Sequence, residues 1–203
     1  MNVVIFDCEI RKAIPQANEP VFASIKDKLQ YCAGWHDFSG MGISVVTAYD
    51  VKEARAHVFM EDNLLDFAKL IASRDLCVTF NGTQFDLPLL DANGIVTPSQ
   101  KHFDLAAAIW AAAGVPAGEH PKGLGLDAIC WANNLTGKTG NGADAPWLWQ
   151  SGKHGQLIDY CLGDTLATLR LYRLLASCNG CVDPRSVDGG DAYGRWLTVR
   201  VPQ

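Results

Sequence analysis

Residues 3–10 read Val3-Val4-Ile5-Phe6-Asp7-Cys8-Glu9-Ile10, and the reading of this stretch governs that of the whole chain. Its first four residues are apolar and largely β-branched, as a short buried strand requires, and acids follow immediately. Asp7 and Glu9 stand two residues apart, so the pleat turns both carboxylates to one face. Two adjacent carboxylates repel and lower stability unless a cation neutralises them. Taken alone, the pair also fits two solvated charges at a strand end, so other segments have to be read with it.

Outward from this strand, residues 11–40 carry Pro15, Pro20, Gly34 and Gly40 and read as a loop-rich excursion. Residues 41–49 (MGISVVTAY) and 54–60 predict two further strands joined near Asp50 as a hairpin. Glu61-Asp62-Asn63 predicts the cap of an amphipathic helix carrying Leu64, Leu65, Phe67, Ala68 and Ile71. Residues 76–80 (LCVTF) form a second buried strand, and Asn81-Gly82-Thr83-Gln84-Phe85-Asp86 follows it. A strand end, a glycine turn and an acid opening a helix can aim a carboxylate across the edge of a sheet. Asp86 equally suits a helix cap or a first-turn acid in the helix dipole.

Asp104 predicts the cap of a helix over LAAAIWAAAG that ends near Gly114 and Pro116, and residues 123–133 predict another. The polar, glycine-rich residues 134–142 are expected to be mobile. The longest helical pattern runs from about 154 to 176 and carries Tyr160-Cys161-Leu162-Gly163-Asp164. Tyr160 and Asp164 are i and i+4, one turn apart on one face. A tyrosine in an apolar helix is usually core, but an aspartate among leucines needs a partner, because burying an unpaired charge is expensive. Residues 195–201 are strand-like. This order of elements predicts one α/β domain over residues 1–176, with residues 177–203 as a C-terminal extension packing on it.

Composition narrows the function. The chain has 203 residues, 48% of them hydrophobic and 19% charged, enough to bury a core. No stretch nears the roughly 20 apolar residues that span a bilayer, so no membrane association is expected. The start, MNVVIFDCEI, has no basic n-region, which favours a cytoplasmic protein. Seven cysteines without regular spacing read as reduced thiols, and Cys178-x-x-Cys181 lacks the second ligand pair of a structural zinc site. The net charge of −5 argues against a protein that coats duplex nucleic acid. It says little against a nuclease whose carboxylates meet phosphate through bound cations.

Three segments, each weak alone, occur in order and supply four carboxylates and a phenol. Here the sequence resembles the DnaQ-like 3′–5′ exonucleases of the RNase H-like superfamily, in the tyrosine-type (DEDDy) branch. FDCE resembles the first exonuclease motif, NGTQFD the second and YCLGD the third. The latter two most resemble the proofreading domains of family B DNA polymerases, and no polymerase domain follows the third motif, so a stand-alone enzyme is expected. The resemblance covers roughly residues 1–176. It implies a mixed central sheet of about five strands flanked by helices, and two divalent cations, Mg²⁺ or Mn²⁺, held by Asp7, Glu9, Asp86 and Asp164. It further implies that Asp7 bridges the ions and that Glu9 and Asp164 complete the site where water is activated. Asp86 supports the second ion and Tyr160 orients the water. A phenol with a pKa near 10 is a poor base at neutral pH, so the metal must acidify the water. Asn81 and Phe85 either hold the 3′-terminal nucleotide or serve as turn and core residues.

The expected reaction is stepwise hydrolysis of single-stranded DNA from its 3′ end to nucleoside monophosphates, with replication or repair proteins as partners. An RNA or oligoribonucleotide exonuclease is the alternative, since the motifs do not specify contacts to a 2′-OH. A non-catalytic nucleic-acid-binding module of the same fold is a further alternative. Other signals fail for lack of context. Gly123-Leu124-Gly125-Leu126-Asp127-Ala128 fits G-x-G-x-x-A but follows no strand. Gly137-Lys138-Thr139 lacks the upstream glycine of a P-loop, Ala132 and Asn133 standing there. The five histidines show no ligand spacing; His102 reads as a strand-end residue before the Asp104 cap. Trp147 and Trp149 read as core or lid residues.

Overall fold

A computed structural model describes residues 1–18, 22, 24, 28–97, 99–137, 140–187 and 194–202. In chain order these form β1 (Val3–Ile10), α1 (Pro15–Asn18), α2 (Phe38–Met41), β2 (Ile43–Asp50), β3 (Arg55–Phe59), α3 (Leu64–Ala72), β4 (Leu76–Thr79) and α4 (Asp86–Ala92). Then follow β5 (His102–Asp104), α5 (Leu105–Ala112), α6 (Leu126–Ala132), α7 (Ala145–Gln150), α8 (His154–Cys178), β6 (Gly180–Val182), α9 (Pro184–Val187) and β7 (Trp196–Thr198). The main sheet has five strands in the order β3-β2-β1-β4-β5. β1, β4 and β5 are mutually parallel, while β2 and β3 form the expected antiparallel hairpin on the other side of β1. The mixed α/β sheet anticipated from the sequence is therefore present.

β1 lies at the centre and is covered on both faces, which explains its unbroken apolar run. Val4, Phe6, Cys8 and Ile10 face one core, shared with Phe67 and Ile71 of α3 and Leu89 and Leu90 of α4. Val3 and Ile5 face the other, shared with Leu105 and Ile109 of α5, Ile129 of α6 and Leu171 and Leu175 of α8. The period of two along β1 thus divides its side chains between two helical layers, and Asp7 and Glu9 continue the row that faces α8. Register slips between Glu9 and Ile10, a bulge that re-aims the chain just past the second acid.

Some local expectations need correction. Asn63 stands at the N-cap of α3 without a side-chain cap bond; its Oδ1 accepts the Met60 N–H instead, at 2.6 Å. The helix expected over residues 123–133 contracts to Leu126–Ala132, because Gly123 takes φ +77° and Gly125 is extended. His102 stands at the end of β5 where the strand begins, two residues before the Asp104 cap. The excursion at 11–40 includes the short helices α1 and α2. The strand-like tail pairs antiparallel with β6, placing Leu197, Val199 and Val201 in the α8-side core. All seven cysteines are free thiols. No helix among the described residues is long and apolar enough to cross a membrane.

Candidate active site

The site begins where β1 and α8 cross. Asp7 pairs with Thr47 of β2, and Thr47 and Thr165 of α8 approach through their hydroxyls at 2.7 Å. Thr47 Oγ1 also donates to Cys161 Sγ at 3.2 Å, so a buried polar contact fixes the axial position of α8 against the sheet. Cys161 Sγ lies 3.5 Å from Asp7 Oδ2, and ligand atoms of Asp7, Glu9 and Cys161 lie within 4.8 Å of one another. Tyr160 and Asp164 flank this point, both buried and hydrogen-bonded to each other.

Asp86 reaches the cluster from the opposite side of β1. It opens α4 and accepts the Cys8 N–H at 2.9 Å. Its placement depends on the turn before it. Asn81 takes φ +66°, a left-handed conformation that asparagine tolerates better than most residues. Gly82 packs against Thr79 so closely that a Cβ would lie 2.1 Å from Thr79 Oγ1. Asp104 accepts the N–H groups of Asn81 at 2.8 Å and Thr83 at 2.9 Å while also capping α5 through Ala106 and Ala107. The sequence marked Asp104 only as a cap; one carboxylate joins the turn to the next helix.

Electrostatics separate this cluster from the chain's structural acids. Burial foremost, then the charges of Asp86, Asp164 and Glu9, holds Asp7 well above the usual carboxylate range, with the Cys161 thiol partly offsetting them. Burial pushes Asp86 up to about 7, Asp104 adding to it and the hydrogen bonds from Cys8 opposing. Burial, followed by Glu9, Asp164 and Asp7, raises Tyr160, so its phenol keeps its proton at neutral pH. Elsewhere arginines neutralise buried acids. Burial would raise Asp50, but Arg74 brings it below the ordinary value. Arg185, then Arg195, lowers Asp183. Neither lysine nor arginine is found among the described residues lining the cleft at Asp7, Glu9 and Asp86. Hard oxygen donors that cannot all ionise without a counter-charge suit Mg²⁺ or Mn²⁺. The other acidic group, Asp50, Glu53 and His57, already has Arg74 beside it.

The cleft measures about 410 Å³, and Asn81, Phe85, Asn141 and Gly142 are among the residues that line it. Tyr160 and Asp164 are buried and are not among its lining residues. In residues 134–142, expected to be mobile, Lys138 and Thr139 lie outside the described residues, and two of the glycines approach Tyr160. A Cβ on Gly140 would come 2.7 Å from the Tyr160 ring, and one on Gly142 3.3 Å from its hydroxyl. The loop's glycines thus let backbone lie directly on the tyrosine, a role its polarity alone did not reveal. Trp147 lies under Lys153 and Trp149 between Arg11 and His154, and neither is among the lining residues.

A fold with this sheet order and a carboxylate cluster at the crossing of β1 and α8 can be compared with known proteins. The profile of the RNase_H superfamily matches residues 23–176, and the chain belongs to that superfamily. The match begins after β1, so Asp7 and Glu9 precede it. Among solved structures the chain resembles the family B DNA polymerase from the hyperthermophilic archaeon Pyrobaculum calidifontis, with a TM-score of 0.59 and 19% identity over 86% of this chain. It spans 24% of that polymerase's length, and at such identity the likeness is one of fold. A comparison with curated proteins finds no match.

Proposed function

We propose that this protein is a metal-dependent 3′–5′ exonuclease of the tyrosine-type DEDD branch, releasing nucleoside monophosphates from single-stranded DNA in the cytoplasm. The observation that carries the proposal is the convergence of four carboxylates on one buried point with no lysine or arginine among the described cleft residues to neutralise them. Membership of the RNase_H superfamily and the fold shared with a DNA polymerase support a nuclease. We assign catalysis to residues 1–176 and a stabilising role to 177–203.

Two Mg²⁺ or Mn²⁺ ions, held by Asp7, Glu9, Asp86 and Asp164, would supply an acidified water and offset charge on the phosphate. Asp7 is central to this reading, since the charges of Asp86, Asp164 and Glu9 all bear on it. Glu9, Asp164 and Tyr160 form one side, Asp86 with the Cys8 N–H the other. The Tyr160 hydroxyl, protonated and bonded to Asp164, positions the attacking water as a hydrogen-bond partner and does not abstract its proton. Asn81 and Phe85, on the lining of the cleft, hold the terminal nucleotide.

The test uses matched DNA and RNA oligonucleotides labelled at the 5′ end, incubated with Mg²⁺, Mn²⁺ or EDTA. The expected result is a ladder shortening from the 3′ end of single-stranded DNA, abolished by EDTA and by Asp7→Ala. Faster loss of RNA would move the substrate to the alternative class. Intact strands under every condition would make the chain a binding module, and full activity of Asp7→Ala would overturn the metal assignment.

A further inference from the structure

A second depression adjoins the carboxylate cleft and shares Trp35, Asn81 and Phe85 with it. Its volume is about 660 Å³, within the roughly 300–1,000 Å³ of small-molecule sites. His36, Phe38 and His120 supply the remaining rings of the lining, and Gln84 a second amide beside Asn81. Trp35 is 50% exposed. Phe38 meets Phe85 edge-on at 6.3 Å within the lining, and His120 rests edge-on at 5.5 Å against Trp110, which is not part of it. None of the described lining residues is a lysine, arginine, aspartate or glutamate.

We propose that this groove is a base-stacking subsite for the nucleotides immediately 5′ of the terminal one, in a single strand whose 3′ end occupies the cleft. The inference rests on the exonuclease reading and adds the element that would give it a grip on substrate. A strand with its last nucleotide between Asn81 and Phe85 must leave the cleft along a neighbouring surface, and the groove shares those two residues. Phosphates find no cation among the described lining residues, so the attraction comes from base faces on aromatic rings. Stacking of this kind accepts any base, because every base has a π-face. It also predicts a shallow dependence on salt, unlike binding that displaces counterions with lysine and arginine.

The test combines abasic substitution with mutation. Six-nucleotide single strands carry one abasic residue at the second or third position from the 3′ end and are compared with the intact hexamer. With the wild-type protein, one of the abasic positions is expected to lower kcat/KM about tenfold. Trp35→Ala is expected to slow the intact hexamer about tenfold and to erase the abasic penalty; Trp35→Phe should restore most of the loss. A penalty that persists in Trp35→Ala overturns the subsite. Should the wild-type protein cleave nothing, the exonuclease reading fails, and binding of labelled hexathymidylate decides the groove. Weakening of that binding by Trp35→Ala, non-additive with the abasic residue, supports the groove, and unchanged binding overturns it.

Discussion

Replacing Asp86 with asparagine tests the electrostatic reading where it is most exposed to refutation. Asp86 is buried, with a pKa pushed from the ordinary range near 4 up to about 7. Between those values the unfolded chain has released this proton and the folded chain still holds it. Folded protein therefore binds more protons than unfolded, and stability must fall as pH rises through this window. The loss is about 1.4 kcal/mol for each pH step, or roughly 4 kcal/mol once pH exceeds 7. Asparagine keeps an oxygen for the Cys8 N–H and never ionises. In EDTA, Asp86→Asn should match the parent near pH 4.5 and melt roughly 8–16 °C higher at pH 8, at about 2–4 °C per kcal/mol for a chain of this size. His102, lowered by burial, acts in the opposite sense over part of this range, but it is common to both proteins and cancels in their difference. Mg²⁺ or Mn²⁺ should narrow the gap by stabilising only the parent. Melting curves by circular dichroism from pH 4.5 to 8 provide the measurement. A difference that does not grow with pH, or a variant less stable than its parent at pH 8, would refute the claim that burial keeps Asp86 protonated.

Asp104→Ala removes the acceptor for the 81–83 turn and for the first turn of α5 at once. Urea denaturation should show a loss of about 2–4 kcal/mol, more than the roughly 1 kcal/mol of a lost cap. Gly140→Ala sets a methyl 2.7 Å from the Tyr160 ring and should lower kcat by up to about 10²-fold, with thermal stability falling much less than proportionately; single-turnover cleavage reads the first effect and calorimetry the second. Asp183→Ala strands Arg185 and Arg195, for about 2 kcal/mol and a Tm lower by roughly 4–8 °C, while cleavage at 25 °C stays within twofold of the parent.

Much of the fold was legible because its period was local. The apolar run before Asp7, the hairpin signal around Asp50 and the stripe along residues 154–176 each declare an element within a few residues. Asp7 with Glu9, and Tyr160 with Asp164, could be assigned common faces from spacing alone. What spacing could not carry was contact across the chain. Nothing in residues 79–86 says that the turn is held from Asp104, and nothing in the polarity of 134–142 says that Gly140 lies on Tyr160. Cys161 escaped notice because a cysteine inside an apolar helix reads as core, and its approach to Asp7 appears only once α8 crosses β1. The pairing of β7 with β6 was hidden because three-residue strands scarcely register as a pattern.

The carboxylates of the cluster come from residues 7, 9, 86 and 164, and the last of them arrives only when α8 lies down across β1 and β2. A nascent or partly unfolded chain lacking that helix has the strand acids without Tyr160 or Asp164. Repulsion among the acids opposes its docking, so a cation held by them would act as a latch on the closing step of folding, with part of its affinity going into seating the helix. Chelation of such a cation should then loosen the Tyr160 end of α8 before the end packed beneath β6 and β7.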